Sequence, residues 1–449
     1  MHVDLFIHSA AQLLTLASDG PKRGVAMEEL GIIEHGAVAV KDGLIGLVGP
    51  TSEVRGQVTA AEEIDAAGKV VMPGFVDPHT HLVFASDRAD EFEQRIKGAT
   101  YMEIMAAGGG IMNTVRATRA ASLDELVAQA RERLDEMLAH GTTTAEAKTG
   151  YGLDIENELK MLEAIWILDK AHPIDLIPTL LGAHAVPTEY QGRAEEYVDL
   201  VIDEMLPLVV QRGLEELWGR KEEAPAAPPL FCDVFCEEGV FTLEESRRIL
   251  TKAKELGLGL KIHADEFSSL GGAALAAELG TIAVAHLLCT PPEEMALLAE
   301  AGTIAVLLPG GTFGLGQRAY ADARGLIAAG VPVALGTDLN PGTCWCESMQ
   351  LIVALACRFM EMTPAEAIVA ATINAAHAVR LGDQVGSLEV GKKADILILD
   401  IPDYRHLSYR FGVNLVDKVI KGGGGSAVPS ATLRTGLTTG LVVGGLHLA

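Results

Sequence analysis

The run "VMPGFVDPHTHLVF" carries two histidines one residue apart, His79 and His81, and Arg88 follows seven residues after the second. Side chains at i and i+2 of a strand share a face, so both imidazoles point the same way. Neutral imidazoles that converge like this suit Zn or Fe. A lone histidine at a strand end is more often a hydrogen-bonded structural group, so the other polar residues decide the matter. They recur at the ends of later apolar runs: Lys148 and Tyr151 in "AEAKTGY", His184 in "LLGAH", Cys236 and Glu237 in "VFCEE", His263 and Glu266 in "KIHADE", His286 in "AVAHL", Asp338 and Asn340 in "GTDLNPG". Five of the thirteen histidines fall at such ends, which scattered surface histidines would not do. His79, His81, His263 and Asp338 together make an N/O ligand set for one ion. His184 and His286 read as ligands, substrate contacts or packing groups; substrate contact is favoured, because further ligands would close the coordination position that catalysis needs. A carboxylated Lys148 could bridge two metals, but its place after the second strand argues against that, so one metal is expected.

These side chains meet only if the chain gathers its strand ends at one rim. Apolar, strand-like runs occur at 71–79, 142–147, 174–182, 230–235, 259–263, 282–286, 303–308 and 331–337, with helical patterns between them. Capping-box spacings open three of the helices: Ser122 with Glu125, Thr242 with Glu245, Thr363 with Glu366. Eight buried strands alternating with helices predict an α/β fold, a (β/α)8 TIM-like barrel, whose chemistry gathers at the C-terminal strand ends. A doubly wound open sheet is the competing reading. Short β-type runs before residue 70 and again at 386–400 predict a small β-sandwich domain formed by both termini. The expected division is 1–68 and 381–449 for the two parts of that domain, the latter with a flexible tail, and 69–380 for the barrel. The Pro-rich stretch 220–230 reads as a surface linker, and the Gly-rich stretches 106–111 and 310–316 as mobile loops of the site.

A chain of 449 residues, 49% hydrophobic and 21% charged, fits a globular enzyme too long for a single core. The net charge of -26 repels nucleic acid and anionic membrane. Neither is an expected partner, and an anionic small-molecule substrate would need a local cation, for which Arg88 is the candidate. Six cysteines without a regular framework imply reduced thiols and a cytoplasmic setting. Cys344 with Cys346, and Cys232 with Cys236, lack partner pairs at zinc-ribbon spacing and read as buried thiols. The N-terminus shows no signal-peptide pattern, and no apolar run approaches the ~18 residues of a membrane span.

The motifs also carry a resemblance. "VMPGFVDPHTHLVF", "KIHADEFSSLGG", "HLL" and "GTDLNPG" resemble the amidohydrolase superfamily. "SDRADEFEQRIKGATYMEIMAAGGGI", "TTAEAKTGYGLDIENELKML", "PTLLGAHAVPTEY" and "FCDVFCEEGVF" look like its imidazolonepropionase family, with the likeness running from about residue 70 to 400. The resemblance implies one Zn or Fe on His79, His81, His263 and Asp338, substrate contacts from Arg88, Tyr151 and His184, and catalytic neighbours in Glu266 and His286. It also implies a ligand-binding loop at Asn340, Gly342 and Thr343. The implied reaction is opening of the lactam of 4-imidazolone-5-propanoate by water to N-formimidoyl-L-glutamate, a step of histidine degradation. Asp338 would take a proton from the water, His286 would stabilise the carbonyl oxygen, and Glu266 would hold a ring nitrogen and pass a proton to the leaving nitrogen. Arg88 would clamp the propanoate, and a homodimer is within expectation. Ser86 stands where the family usually has glycine, and 208–229 and the tail after Gly422 depart from its pattern. Two rivals remain: a metal-dependent deaminase of a ring heterocycle, which shares the same motifs but frees ammonia, and a catalytically silent scaffold barrel.

Overall fold

The computed structural model describes residues 1–99, 103, 108–217, 229–423 and 428–429. Most of the stretches 220–230 and 422–436, and residues 106–107 of the Gly-rich loop, lie outside them.

Strands from both ends of the chain form one eight-stranded sheet. Its N-terminal members are β1 (His2–Leu14), β2 (Ile32–Lys41), β3 (Leu44–Pro50), β4 (Thr59–Asp65) and β5 (Val70–Pro73). The barrel strands follow as β6 (Phe75–Asp77), β7 (Thr142–Lys148), β8 (Asp175–Ala183), β9 (Phe231–Cys236), β10 (Gly259–Ala264), β11 (Ala283–His286), β12 (Ile304–Leu307) and β13 (Val333–Leu335). The C-terminal β14 (Ile396–Leu399), β15 (Val416–Ile420) and β16 (Val428–Pro429) return to the first sheet, where β14 pairs with β5 and β5 with β1. Leu5, Ile7, Leu13, Val38, Val40, Ile396 and Ile398 form the buried core of that terminal sheet.

The eight expected barrel strands are all present and run parallel in chain order, β6 through β13. The first expected run, 71–79, divides in two. Val70–Pro73 belongs to the terminal sheet, and only Phe75–Asp77 enters the barrel. Gly74 sits at the division, where a Cβ would collide with Thr143, so glycine is what lets the chain pass from one sheet to the other. The barrel closes just beyond its last strands: His81 N donates to Leu339 O at 2.9 Å, Asp338 N to His79 O at 3.0 Å, and Thr337 Oγ1 to Asp77 Oδ2 at 2.6 Å. The closing seam is therefore the segment that carries three of the candidate ligands.

All three capping boxes form, each with reciprocal bonds between the cap residue and the glutamate three positions on. Each such cap contributes on the order of 1 kcal/mol to fixing where its helix begins. Ser86 lies in the left-handed region, at φ 69°. An L-residue there costs about 1–2 kcal/mol that glycine does not, partly offset by glycine's greater unfolded-state entropy. We expect Ser86→Gly to stabilise the protein by about 0.5–1 kcal/mol, read as a higher denaturant midpoint at unchanged slope.

Inside the barrel, strand alternation stacks three layers. Val76, Ile177, Phe231, Ala283, Ile304 and Ala334 make an apolar floor packed on Ala375, Ala376 and Val379. Above Phe231 stands Asp233, two residues on; Glu146 and Lys148 likewise share a face, as do Lys261 and His263. Thus the middle layer is ionic and the top layer is imidazole.

Candidate active site

The ionic layer is closed on itself. Lys148 Nζ lies 2.6 Å from Asp233 Oδ2 and 2.9 Å from Glu146 Oε2, while Lys261 Nζ lies 2.8 Å from Glu146 Oε1. All four side chains are at most 4% exposed, so two cations and two anions compensate one another inside the barrel. Asp233 Oδ1 also reaches His263 Nδ1 at 3.1 Å. Burial would push Asp233 up, but the neighbouring charges of His263 and Lys148 and their hydrogen bonds overcome it and hold the carboxyl far below its ordinary range. An ionised Asp233 keeps the proton of His263 on Nδ1 and leaves Nε2 as the free lone pair facing upward.

Around that lone pair the other imidazoles close in. One ring nitrogen from each of His79, His81 and His263 fits within 4.8 Å of the others. His263 Nε2 is 3.4 Å from His81 Nε2, and Asp338 Oδ1 is 3.6 Å from both His79 Nε2 and His81 Nε2. Asp338 holds φ 56° and His286 φ 76°, so both strand ends turn sharply to aim their side chains inward. His79 Nε2 has no hydrogen-bond partner although it is buried. A buried nitrogen without a partner, three imidazoles and one carboxylate within coordination reach are the donor set of a transition-metal site, and the residues fit a single ion.

Burial lowers the basicity of the cluster. It is the leading cause holding His79, His81 and His286 well below 6.5 and His184 down to about 3, with neighbouring charges adding to it. These groups are neutral in the folded protein and titrate near 6.5 once unfolded. At these four positions the unfolded chain therefore binds more protons below that pH, and by linkage they make folding less favourable as acid is added, while Asp338 and Glu266, whose carboxyls hold protons more tightly in the folded chain, act in the opposite sense.

The flanking groups lie close by. His184 Nδ1 meets the Gly150 carbonyl at 3.0 Å, and its ring stacks on His81 with centroids 4.9 Å apart. Tyr151 is buried, 6.0 Å from the His81 ring centre, and burial pushes its phenol up, so it stays protonated. His286 Nε2 lies 3.6 Å from Glu266 Oε2. Burial, then the charges of Asp338 and Glu237, push Glu266 well above the usual carboxylate range. Burial also raises Asp338, to about 8, a shift that a bound cation would reverse.

Arg88 stands at the edge of this group rather than in it. Its Nε donates to Glu91 Oε2 at 2.8 Å, and Glu91 is held in turn by the Gly110 amide and by Asn113, each at 3.2 Å. The guanidinium packs on Gly342, where any Cβ would strike it. Asn340 Oδ1 accepts from the Gly342 and Thr343 amides, both at 2.8 Å, which fixes the loop after β13 against Arg88. Arg88, Gly342 and Thr343 line a cavity of about 390 Å³, whose wall includes none of the clustered histidines.

A profile of the amidohydrolase family matches residues 70–424. The imidazolonepropionase of Herpetosiphon aurantiacus is 53% identical over 423 residues, covering 94% of this chain and 97% of that protein. That of Geobacillus kaustophilus is 52% identical, covering 93% and 97%. The chain belongs to the imidazolonepropionase branch of the amidohydrolase family. As an amidohydrolase it is a hydrolase, and its fold recurs at low identity in solved structures. Escherichia coli guanine deaminase superposes with a TM-score of 0.69 at 16% identity, covering 93% of this chain and 97% of that one. A Xanthomonas campestris adenosine deaminase with bound zinc gives 0.67 at 20%, covering 94% and 92%. No helix among the described residues is long and apolar enough to cross a membrane.

Sequence reasoning named the top layer of this amidohydrolase barrel and overlooked the layer beneath. Asp233, Glu146 and Lys261 were missed, although a charge at every second position of an otherwise apolar strand was the available signal. Glu91, which steadies Arg88, gave no signal beyond helical spacing.

Proposed function

We propose that this chain hydrolyses the ring amide of 4-imidazolone-5-propanoate to N-formimidoyl-L-glutamate, using one Zn or Fe held by His79, His81, His263 and Asp338. The observation that carries the reading is the convergence of these four donors at the barrel mouth. A bound ion of this kind lowers the pKa of a coordinated water toward ~7 and polarises a carbonyl.

The side chains then divide the remaining work. Asp338 accepts the proton that the attacking water loses, at Oδ1, the atom nearest His79 and His81. His286, neutral and held by its strand end, hydrogen-bonds the carbonyl oxygen as negative charge grows there. Glu266, whose burial makes its carboxyl hold a proton more tightly than an ordinary carboxylate, delivers a proton to the ring nitrogen as the amide bond breaks. Tyr151 and His184 face the substrate ring, the second through Nε2 because Nδ1 is committed to Gly150. Arg88 pairs with the propanoate through the guanidinium nitrogens that Glu91 leaves free, and Asn340, Gly342 and Thr343 shape the other wall. Six free cysteines support a reducing, cytoplasmic setting.

The test follows imidazolone absorbance with and without a chelator. Chelator-sensitive loss of absorbance without ammonia supports the reading; stoichiometric ammonia would instead make the protein a deaminase. Arg88→Ala is expected to raise KM for the propanoate substrate roughly 10- to 100-fold, the value of a charged hydrogen-bond pair. An equal effect on an analogue lacking the carboxylate would remove Arg88 from the anchoring role.

A further inference from the structure

Cys344 and Cys346 flank Trp345 on the loop that carries Asp338, Asn340, Gly342 and Thr343, and nothing in the reaction uses their thiols. Cys346 Sγ lies 3.7 Å from the Ser348 carbonyl. Both line the 390 Å³ cavity, together with Arg88, Arg95 and the exposed aromatic rings of Phe92 and Phe313. Cys344 is nearly buried, its sulfur 3.1 Å from the Thr337 carbonyl, whereas Cys346 is half-buried. The other four cysteines stand outside this loop: Cys232 and Cys236 are buried in β9, Cys357 lies in the helix Met349–Phe359, and Cys289 is exposed.

We propose that Cys344 and Cys346 form a thiol–disulfide exchange site for small anionic disulfides of the oxidised-glutathione type, and that their oxidation weakens substrate binding. Three features fit this chemistry. The half-buried sulfur is reachable from a cavity large enough for a small peptide. Two guanidinium groups at its wall, Arg88 and Arg95, attract the carboxylates of such a disulfide. A second thiol two residues away lines the same cavity and can resolve the adduct.

The steps balance. The Cys346 thiolate attacks one sulfur of the disulfide, forming a mixed disulfide and expelling one small thiolate. The Cys344 thiolate then attacks the Cys346 sulfur and expels the second. Two electrons pass from the protein pair to the small disulfide, and the two protein thiol protons end on the two released thiols. The influence of each thiol on the other, ahead of burial, pushes Cys344 up and holds Cys346 down, which suits Cys346 as the first nucleophile.

The consequence for the site follows from what Cys344 holds. Its carbonyl accepts from the Asn340 amide at 2.8 Å, and Asn340 in turn organises Gly342 and Thr343. Drawing the Cys344 sulfur away from Thr337 toward Cys346 shifts that carbonyl and with it the wall packed on Arg88. His79, His81 and His263 lie on other strands, and Asp338 meets this turn through its backbone carbonyl, which accepts from Asn340 Nδ2 at 2.7 Å, so the effect falls on substrate binding more than on metal retention.

The metal-loaded enzyme is incubated with oxidised glutathione, then assayed, mapped by peptide mass spectrometry and analysed for metal. We expect loss of two hydrogens at the 344–346 peptide, a rise in KM of tenfold or more, unchanged metal content, and full reversal by dithiothreitol. C344S should stop at a glutathione adduct on Cys346, and C346S should leave position 344 unmodified. The proposal is overturned if the pair stays reduced while exposed Cys289 is modified. It is equally overturned if the pair oxidises and KM does not change. Metal loss on oxidation would move the effect to the ligands and contradict the assignment to the Asn340 loop. Failure of the underlying substrate reading would show separately, as absence of imidazolone turnover before any oxidant is added.

Discussion

His263→Ala is expected to abolish metal retention and to lower turnover more than about 10³-fold. The estimate rests on the Lewis-acid contribution of a bound ion, several kcal/mol, at about 1.4 kcal/mol per decade of rate. His263 has the largest share because it is the ligand fixed from below: Asp233 holds its Nδ1 at 3.1 Å and so directs Nε2 upward toward His81. Removing it deletes one donor and leaves Asp233 facing an empty space. Elemental analysis after dialysis checks the first part, and initial rates with added Zn or Fe check the second. A variant that keeps a full equivalent of metal would remove His263 from the ligand set. Asp233→Asn should behave differently, keeping the imidazole but freeing its tautomer, with a loss of metal affinity of about 10- to 100-fold.

The second large effect concerns stability rather than turnover. Lys148→Met should destabilise the metal-free protein by about 3–5 kcal/mol, because it strands the buried carboxylates of Asp233 and Glu146 without their common cation. Met preserves much of the volume, so the loss reports charge rather than a cavity. Adding Asp233→Asn to Lys148→Met should recover a large part of that stability, since one uncompensated anion disappears and Glu146 keeps Lys261 at 2.8 Å. Metal affinity should stay low in the double variant. Denaturant titration of the apo proteins separates the two quantities. Additive losses in the double variant would show that Lys148 and Asp233 do not act as a pair.

The uneven legibility of the sequence has a physical origin. Fully buried parallel strands leave uninterrupted apolar runs, and helix caps mark where each run gives way, so the eight barrel strands could be read directly. His79, His81, His263 and Asp338 stood out because a polar residue at the end of such a run has no water to satisfy it. The division at Gly74 could not be seen, because Val70–Pro73 and Phe75–Asp77 are apolar for two different sheets. The ionic layer leaves one faint signal, charge at alternate positions of an apolar strand, and such positions look solvent-facing until the fold brings Lys148 to Asp233, 85 residues away. The cysteine pair read as bland buried thiols because only the cavity beside it gives Cys346 access.

The central claim is that one ion, held by these four donors, is required for turnover. Metal-free protein titrated with Zn or Fe, with initial rates recorded at each addition, tests it most directly. The rate should rise linearly and break sharply at one equivalent per chain. Full activity in rigorously metal-free protein, or a break at two equivalents, would contradict the account.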